Sequence, residues 1–486
     1  MTTLPTRPDD TEDARAVERL DEIFLRMRSE FRRNGIPSLD DRRAKLGALA
    51  GAMFGYRKQI QDALTADFAV HPTQLTDLTE TLGVAGQAQY VMEHLAEWAA
   101  PEQRFIDSQS FGTATARMQY QPKGTIGVLA PWNFPFLLSL GPLVDILAAG
   151  NRAILKPSEL APASAELLAE LVAKTFDADD VAVVTGGVAV ARHFAGMPWD
   201  HLLYTGNAAV GRQVAMAAAR NLVPVTLELG GKNPVIVHSD SVNAETVAQI
   251  LGNKLAKNGQ ICIAPDYCLV PREQVAAFVD LAKTHIAATN PGYSASSDAT
   301  GIINERHLGR LVGALDEARR RGVEIVEPEH GAQVDPVTRQ MPLTLVIDPP
   351  DDLELMTDEI FGPVLPVKPY DTLEDALGYV TSHDRPLGLY VFAADQVVAQ
   401  DILDRTSSGG ACVNTCAIQG VLPSLGFGGS GGSGYGRHRG VEGFREFSNQ
   451  RGVVVRGDGD AIAAFFPPYS TGPAHYVVSA VFGDAE

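Results

Sequence analysis

Residues 125–157 read TIGVLAPWNFPFLLSLGPLVDILAAGNRAILKP, and the way this stretch is parsed decides the fold. TIGVLA is a short aliphatic run and reads as a buried strand. The apolar positions that follow run on too long for a strand and end at Gly150, a helix stop, after which RAILKP begins a second strand. Pro131, Pro135, Pro142 and Asp145 interrupt the stretch, so it suits a strand, a turn and a buried helix better than a membrane span. Strand, helix and strand joined by short turns make a right-handed crossover, which places the two strands side by side and parallel.

Downstream the pattern repeats. Helix PASAELLAELVAK opens on Pro162, then come strand VAVVTG (181–186), a short helix, strand HLLYTG (201–206) and helix AAVGRQVAMAAAR (208–220). Such alternation predicts a parallel sheet covered by helices on both faces, a nucleotide-binding type of architecture. A second alternating series starts at NPVIVH (233–238), passes through a helix over AETVAQILGNKLAKNG (244–259) and continues to about residue 416. Upstream, Ala14, Val17, Leu20, Ile23, Phe24, Met27 and Phe31 recur at three and four residues before Gly35, an amphipathic helix over 11–33. Ser38 and Asp41 begin the next helix with a capping box, and helical patterns persist to about Ala100. The run GFGGSGGSGYGRHRG (426–440) carries Phe427, Tyr435, His438 and Arg439 among its glycines and leads into strand-like RGVVVRG, so it is expected to be an ordered loop leaving the second domain.

The 486-residue length exceeds what one hydrophobic core supports, and two or three domains are expected. A formal charge of -19 opposes a nucleic-acid backbone or an anionic membrane as partner. MTTLPTRPDDTEDAR lacks the apolar segment of a secretory leader, and the tail AHYVVSAVFGDAE is too short to cross a bilayer. Four cysteines, at 262, 268, 412 and 416, cannot build a disulfide framework, which favours a reducing, cytoplasmic compartment. Their spacing does not suit zinc, and no metal is expected.

Several residues carry candidate chemistry. In GQICIAPDYC (259–268), Cys262 is either a nucleophile or one more buried thiol. Glu228, in VTLELGGKNP, is either a strand-terminal carboxylate facing water or one at an apolar strand end, where desolvation would raise its pKa toward the range of a general base. Asn133, between two prolines in APWNFP, is a stiffly held amide donor of the kind an oxyanion site requires, or a turn asparagine. Lys156 and Glu159, in ILKPSE, fall at the end of a parallel strand, where open α/β sheets bind ligands, or are a solvated pair. Gly206 and Gly211, in YTGNAAVG, flank a turn into a helix whose N-terminus suits a pyrophosphate, although the spacing is not the dinucleotide fingerprint. Glu359 and Phe361 lie in TDEIFGPVLP, a loop bounded by glycine and proline.

Taken in order, P-W-N-F-P, K-P-S-E, Y-T-G-N-x-A-V-G, L-E-L-G-G-K-x-P, N-G-Q-x-C, E-I-F-G-P and G-F-G-G-S-G-x-S-G-Y-G resemble the aldehyde dehydrogenase superfamily. K-P-S-E, T-G-N, C-I-A-P-D-Y and the late F-F-P-P-Y resemble its class 3-like branch, that of the fatty-aldehyde and coniferyl-aldehyde enzymes, over residues 38 to about 470. The resemblance implies an α/β fold with a Rossmann-like cofactor domain (1–107 and 124–229), an α/β catalytic domain (230–437), and an oligomerisation arm and tail (108–123 and 438–486) with a hairpin near 108–123. It implies Cys262 as catalytic thiol, Glu228 as general base and Asn133 as oxyanion donor. Trp132, Lys156, Ser158, Glu159, Gly206, Asn207, Gly211, Glu359 and Phe361 fall at the cofactor, NAD with NADP as a possibility. The substrate it implies is an aldehyde, aromatic or medium-to-long aliphatic, with Phe134, Ile261 and Ile263 suggesting an apolar tunnel, and the assembly a homodimer. Cys268 reads as core, and Cys412 and Cys416 flank Asn414 on the expected substrate side. A coenzyme A-acylating dehydrogenase is the alternative reaction, disfavoured by Glu228, and a non-catalytic binding relative is the alternative class.

Overall fold

The computed structural model describes residues 10–483; the segment MTTLPTRPD, on which part of the reading of the N-terminus rests, and the last three residues of the tail lie outside the described residues. Three sheets organise the chain. The first has six strands in the order Gly434–Tyr435, Val225–Leu229, His201–Gly206, Thr125–Leu129, Arg152–Lys156, Val181–Val183. The five strands drawn from 125–229 are parallel, as the alternating pattern requires, and Gly434–Tyr435 adds an antiparallel edge. The glycine-rich run is therefore ordered, but it returns to the first sheet, pairing Gly434 with Glu228, before the chain leaves the second.

The second sheet has seven strands in the order Glu324–Val326, Thr344–Ile347, Val364–Tyr370, Tyr267–Pro271, Pro234–Val237, Gly388–Phe392, Gly410–Val413. All its pairs are parallel except the outermost, between Glu324–Val326 and Thr344–Ile347. Most strands of both parallel regions are buried along their length, because helices cover both faces. The helix expected over 244–259 stops at Leu255: Lys257 and Asn258 adopt left-handed φ of 50° and 52°, which breaks the i→i−4 ladder just ahead of Cys262.

The third sheet is antiparallel. Thr115–Pro122 pairs along its whole length with Ser448–Val455 and on its other side with Glu102–Arg104. The hairpin expected near 108–123 is thus formed by 102–104 with 115–122. The chain between them is turned by the short helix Ser108–Phe111, whose first amides are capped by the Asp107 carboxylate.

The N-terminal helix Asp10–Asn34 packs on the first sheet. Leu20, Ile23, Phe24 and Met27 are buried in one cluster with Phe194 and Trp199, and Phe24 meets Trp199 edge-on at 4.9 Å. Helix Leu39–Gly55 opens on the expected capping box of Ser38 with Asp41.

One buried ion pair ties the helical N-terminal region to the second half of the chain. Glu80 accepts the backbone N–H groups of Phe136 (3.2 Å) and Leu137 (2.7 Å), the start of helix Leu137–Ala148, and lies 3.7 Å from the Lys257 ammonium. That ammonium also meets His71 Nε2 at 2.9 Å and sits over the rings of Phe68 and Phe134. Glu80 and Lys257 are both buried, so removing one strands the other's charge. Lys257→Met is expected to destabilise the fold by about 3–5 kcal/mol in urea denaturation. A loss below about 1 kcal/mol would show that the pair does not hold the two regions together.

Candidate active site

Strand order in the first sheet reverses between Thr125–Leu129 and His201–Gly206, the position where open α/β sheets leave a crevice at the carboxyl ends of their strands. A cavity of about 1830 Å³ opens there. It is larger than the roughly 300–1,000 Å³ that suits a drug-sized ligand, with room for an extended dinucleotide and a small substrate. Trp132, Asn133, Lys156, Ser158, Glu159, Gly206, Asn207, Glu228, Cys262, Glu359 and Phe361 all line it. Gly211 does not: it is buried beneath its helix, where a Cβ would come within 2.7 Å of Leu229 Cδ2, so it serves close helix–strand packing.

The segment carrying Cys262 is held from several sides. Asn233 Nδ2 donates to the carbonyls of Cys262 (2.8 Å) and Ala264 (2.9 Å), and Tyr390 donates its hydroxyl to Ile263 O. Gln260 Nε2 donates to Lys257 O and Gly301 O, while Gln260 O accepts Asn133 Nδ2 at 3.2 Å. The amide of Asn133, 3% exposed, is thereby fixed beside the thiol loop. Cys262 itself is half-buried. Burial, with the charges of Glu359 and Glu228 adding to it, pushes its thiol pKa far up, while the backbone N–H groups of Cys262 and Ile263 act in the opposite direction. These amides and Asn133 are the kind of donors that stabilise an oxyanion formed on a carbon bonded to the sulfur.

Glu228 is 2% exposed and neither carboxylate oxygen has a hydrogen-bond partner. Its pKa is raised well above the ordinary carboxyl value by burial, against the opposing influence of Arg437 and Arg439. Burial shifts a carboxyl so placed toward its protonated form and raises its basicity, and it can exchange a proton with a molecule in the cavity.

The rest of the cavity has the features of a dinucleotide cradle. Lys156, buried to 2% exposure, directs Nζ to Glu159 Oε2 at 3.3 Å beside the strand end, and burial lowers its pKa. Asn207 caps helix Ala208–Ala219 by accepting the Val210 N–H at 2.9 Å, and the first turn of that helix faces the cavity. Glu359 lies over Gly230: a Cβ there would stand 1.9 Å from Glu359 Oε2, so only glycine lets the carboxylate reach this position. Burial, followed by the charge of Asp266, pushes the Glu359 pKa up to about 8. Phe361, at a left-handed φ of 50°, meets Trp132 edge-on at 5.3 Å. The carboxylates, the lysine and the helix N-terminus along this wall are groups of the kind that can hold an extended dinucleotide.

Some expectations shift. Phe134 does not line the cavity; it packs under the Lys257 ammonium, 4.3 Å from its ring centroid. Ile261 and Ile263 pack with Leu387 and Phe427 beside the thiol. Cys268 is fully buried. Cys416 is also buried, and half-buried Cys412 meets Gln419 Oε1 at 2.7 Å. Arg437, Arg439 and His438, which gather around Glu228 and the cavity wall, stood in the sequence only as interruptions of a glycine run. The His71–Glu80–Lys257 cluster carried no local signal, since its members are far apart in the chain.

The aldehyde dehydrogenase family pattern matches residues 13–453. The chain is 40% identical over 456 residues to the coniferyl aldehyde dehydrogenase of a Pseudomonas species, covering 93% of this chain and 94% of that protein. Among solved structures, a substrate-bound aldehyde dehydrogenase from Staphylococcus aureus superposes with a TM-score of 0.88 at 30% identity, covering 95% of this chain and 99% of the other. An aldehyde dehydrogenase of Mycobacterium tuberculosis in complex with NAD+ gives 0.81 at 26% identity, covering 91% of each.

Gly230→Ala is expected to displace the Glu359 carboxylate and raise the dissociation constant for NAD about tenfold, a loss of roughly 1.4 kcal/mol, in a tryptophan-fluorescence titration. Unchanged affinity would separate Glu359 from the dinucleotide.

Proposed function

Because the chain belongs to the aldehyde dehydrogenase family, we propose that it oxidises its aldehyde to a carboxylic acid with Cys262 as nucleophile, Asn133 as oxyanion donor and Glu228 as general base. NAD(P)-dependent aldehyde oxidation is the activity of the family. The residue roles rest on one observation: these three side chains share a single cavity at the switch point of the first sheet.

The thiol must first lose its proton, because an ordinary thiol is only a few per cent thiolate at pH 7 and burial lowers that fraction here. Sulfur then adds to the aldehyde carbon, and the oxygen that gains charge is met by the Asn133 amide and the Cys262 backbone N–H. Lys156 and Glu159 would hold one ribose, Glu359 the other, and the N-terminus of helix Ala208–Ala219 the pyrophosphate; the bound nicotinamide supplies the two-electron acceptor. Oxidation leaves an acyl group on Cys262 as a thioester. Glu228 removes a proton from water, water attacks the thioester carbon, and the acid departs. Glu228 also argues against coenzyme A as acceptor, since a buried base beside the thioester serves water.

The substrate class follows from the walls and the relatives. Leu138, Leu387 and Phe427 give the cavity apolar surfaces near Cys262, which suits an aromatic aldehyde of the coniferyl type, the substrate in the name of the Pseudomonas relative. NAD is the cofactor, and NADP is expected to bind less well because the Glu159 carboxylate opposes a 2′-phosphate while Lys156 offsets only part of that repulsion. A homodimer is supported by the unpaired outer edge of Ser448–Val455, where Val454 and Val455 are exposed. A reducing, cytoplasmic setting accords with the four free cysteines. No helix of the described residues is long and apolar enough to cross a membrane.

Absorbance at 340 nm with coniferaldehyde and a C6–C12 aliphatic series tests this reading. Cys262→Ser is expected to fall below about a thousandth of the wild-type rate, and persistent activity would remove the thiol from the mechanism. Glu228→Gln should lower steady-state turnover by about 10²–10⁴-fold while sparing NAD binding. Both groups act deprotonated and burial raises both pKa values, so the wild-type rate should climb as pH rises. The limb due to Glu228 should be missing from the Glu228→Gln profile.

A further inference from the structure

His438 lines the cavity with Cys262 and Glu228, is 1% exposed, and has no hydrogen-bond partner at either ring nitrogen. Leaving both polar atoms of a buried imidazole unpaired is costly, and it indicates a site arranged for an occupant. The ring cannot turn away easily. Phe427 N donates to His438 O at 2.7 Å, His438 N donates to Phe427 O at 2.9 Å, and the two rings meet edge-on at 5.6 Å.

Glu228 stands beside this same bridge. The Cβ position of Gly428, next to Phe427, lies 3.0 Å from Glu228 Oε1 and 2.2 Å from the Gly436 carbonyl oxygen, so the carboxylate borders the backbone segments that hold His438. Both Glu228 oxygens are also unpaired. A polar niche with two to four partners is what a bound water requires, and these side chains supply them. Burial, with the charge of Arg439 adding to it, pushes the imidazole pKa down to about 3. The ring is therefore neutral at working pH, with one N–H donor and one lone-pair acceptor.

We propose that His438 orients the water that hydrolyses the Cys262 thioester, a positioning role that rests on the reading of Glu228 as its base. The water oxygen bonds to the thioester carbon as one of its protons passes to the Glu228 carboxylate. The carbon–sulfur bond then breaks, its electron pair remains on Cys262 as thiolate, and the carboxylic acid is released. His438 neither gains nor loses a proton in the balance; it fixes the direction of the water by a hydrogen bond.

p-Nitrophenyl acetate acylates a reactive thiol without cofactor or aldehyde, so its burst reports acylation of Cys262 and its steady phase reports hydrolysis. In His438→Phe the burst is expected to stay within about twofold of wild type while the steady phase falls about 10–100-fold, the effect of one hydrogen bond. An acetylated protein should accumulate by intact-mass measurement. His438→Asn, which offers a donor and an acceptor, should recover most of the hydrolysis, and the pH limbs of hydrolysis should remain where they are in wild type. Wild-type hydrolysis in His438→Phe, loss of its burst, failure of asparagine to rescue, or a displaced limb in His438→Asn would each overturn the proposal. Glu228→Gln in the same assay separates the two ideas: fast hydrolysis there with slow hydrolysis in His438→Phe refutes the base and leaves the water-orienting ring.

Discussion

The geometry of the cavity depends on the contact between the loop that carries Asn133 and the loop that carries Cys262. Asn133 donates to Gln260 O, and behind this hydrogen bond Lys257 reaches Glu80, which caps the helix that follows Asn133. Two loops more than a hundred residues apart are thus tied at both a backbone carbonyl and a buried charge. Lys257 pays for its left-handed backbone with this anchorage, since a non-glycine residue in that region is strained unless its surroundings over-determine it. The ammonium is held by a carboxylate, an imidazole and two aromatic faces, which together replace the water it has lost.

Burial also sets the acid–base chemistry. Glu228, Glu359 and Cys262 all have raised pKa values, with desolvation as the largest cause, and the two carboxylates add to the shift at the thiol. In a chain of formal charge -19, the cavity gathers Lys156, Lys232, Arg192, Arg212, Arg220, Arg306 and Arg310 among its walls. Their charge offsets that of the acidic surroundings locally, which is how an acidic protein can present a site to an anionic dinucleotide.

The parallel order of the first sheet was legible because its strands and helices alternate with clear periodicity from Thr125 to Arg220. Cys262, Glu228 and Asn133 stand in motifs that are distinctive together, although each alone has an ordinary structural reading, and the structure brings all three to one cavity. Other features have no local signature. Nothing near Gly434 announces that it pairs with Glu228, because the partner strand is some two hundred residues earlier. The helix end at Leu255 was misplaced because Lys257 and Asn258 belong to a helical-looking run, and their left-handed backbone is imposed by tertiary contacts. The orientation of Phe134 likewise follows from a lysine distant in sequence.

Unpaired buried polar atoms mark where the fold yields to chemistry. Of the sixteen such side-chain atoms among the described residues, five come from Glu228, His438 and Arg439. Hydroxyl and amide groups account for most of the others, and these are cheaper to leave weakly paired than a carboxylate. Helix N-termini elsewhere have their first amides satisfied: Asn243, Asn304 and Thr372 each cap a helix. The deficit is concentrated where the edge strand Gly434–Tyr435 folds back over Glu228, so that strand does more than close the sheet. It shields the carboxyl from bulk solvent and carries His438 and Arg439 to its side, making an enclosed polar niche from a segment whose glycines permit so close an approach.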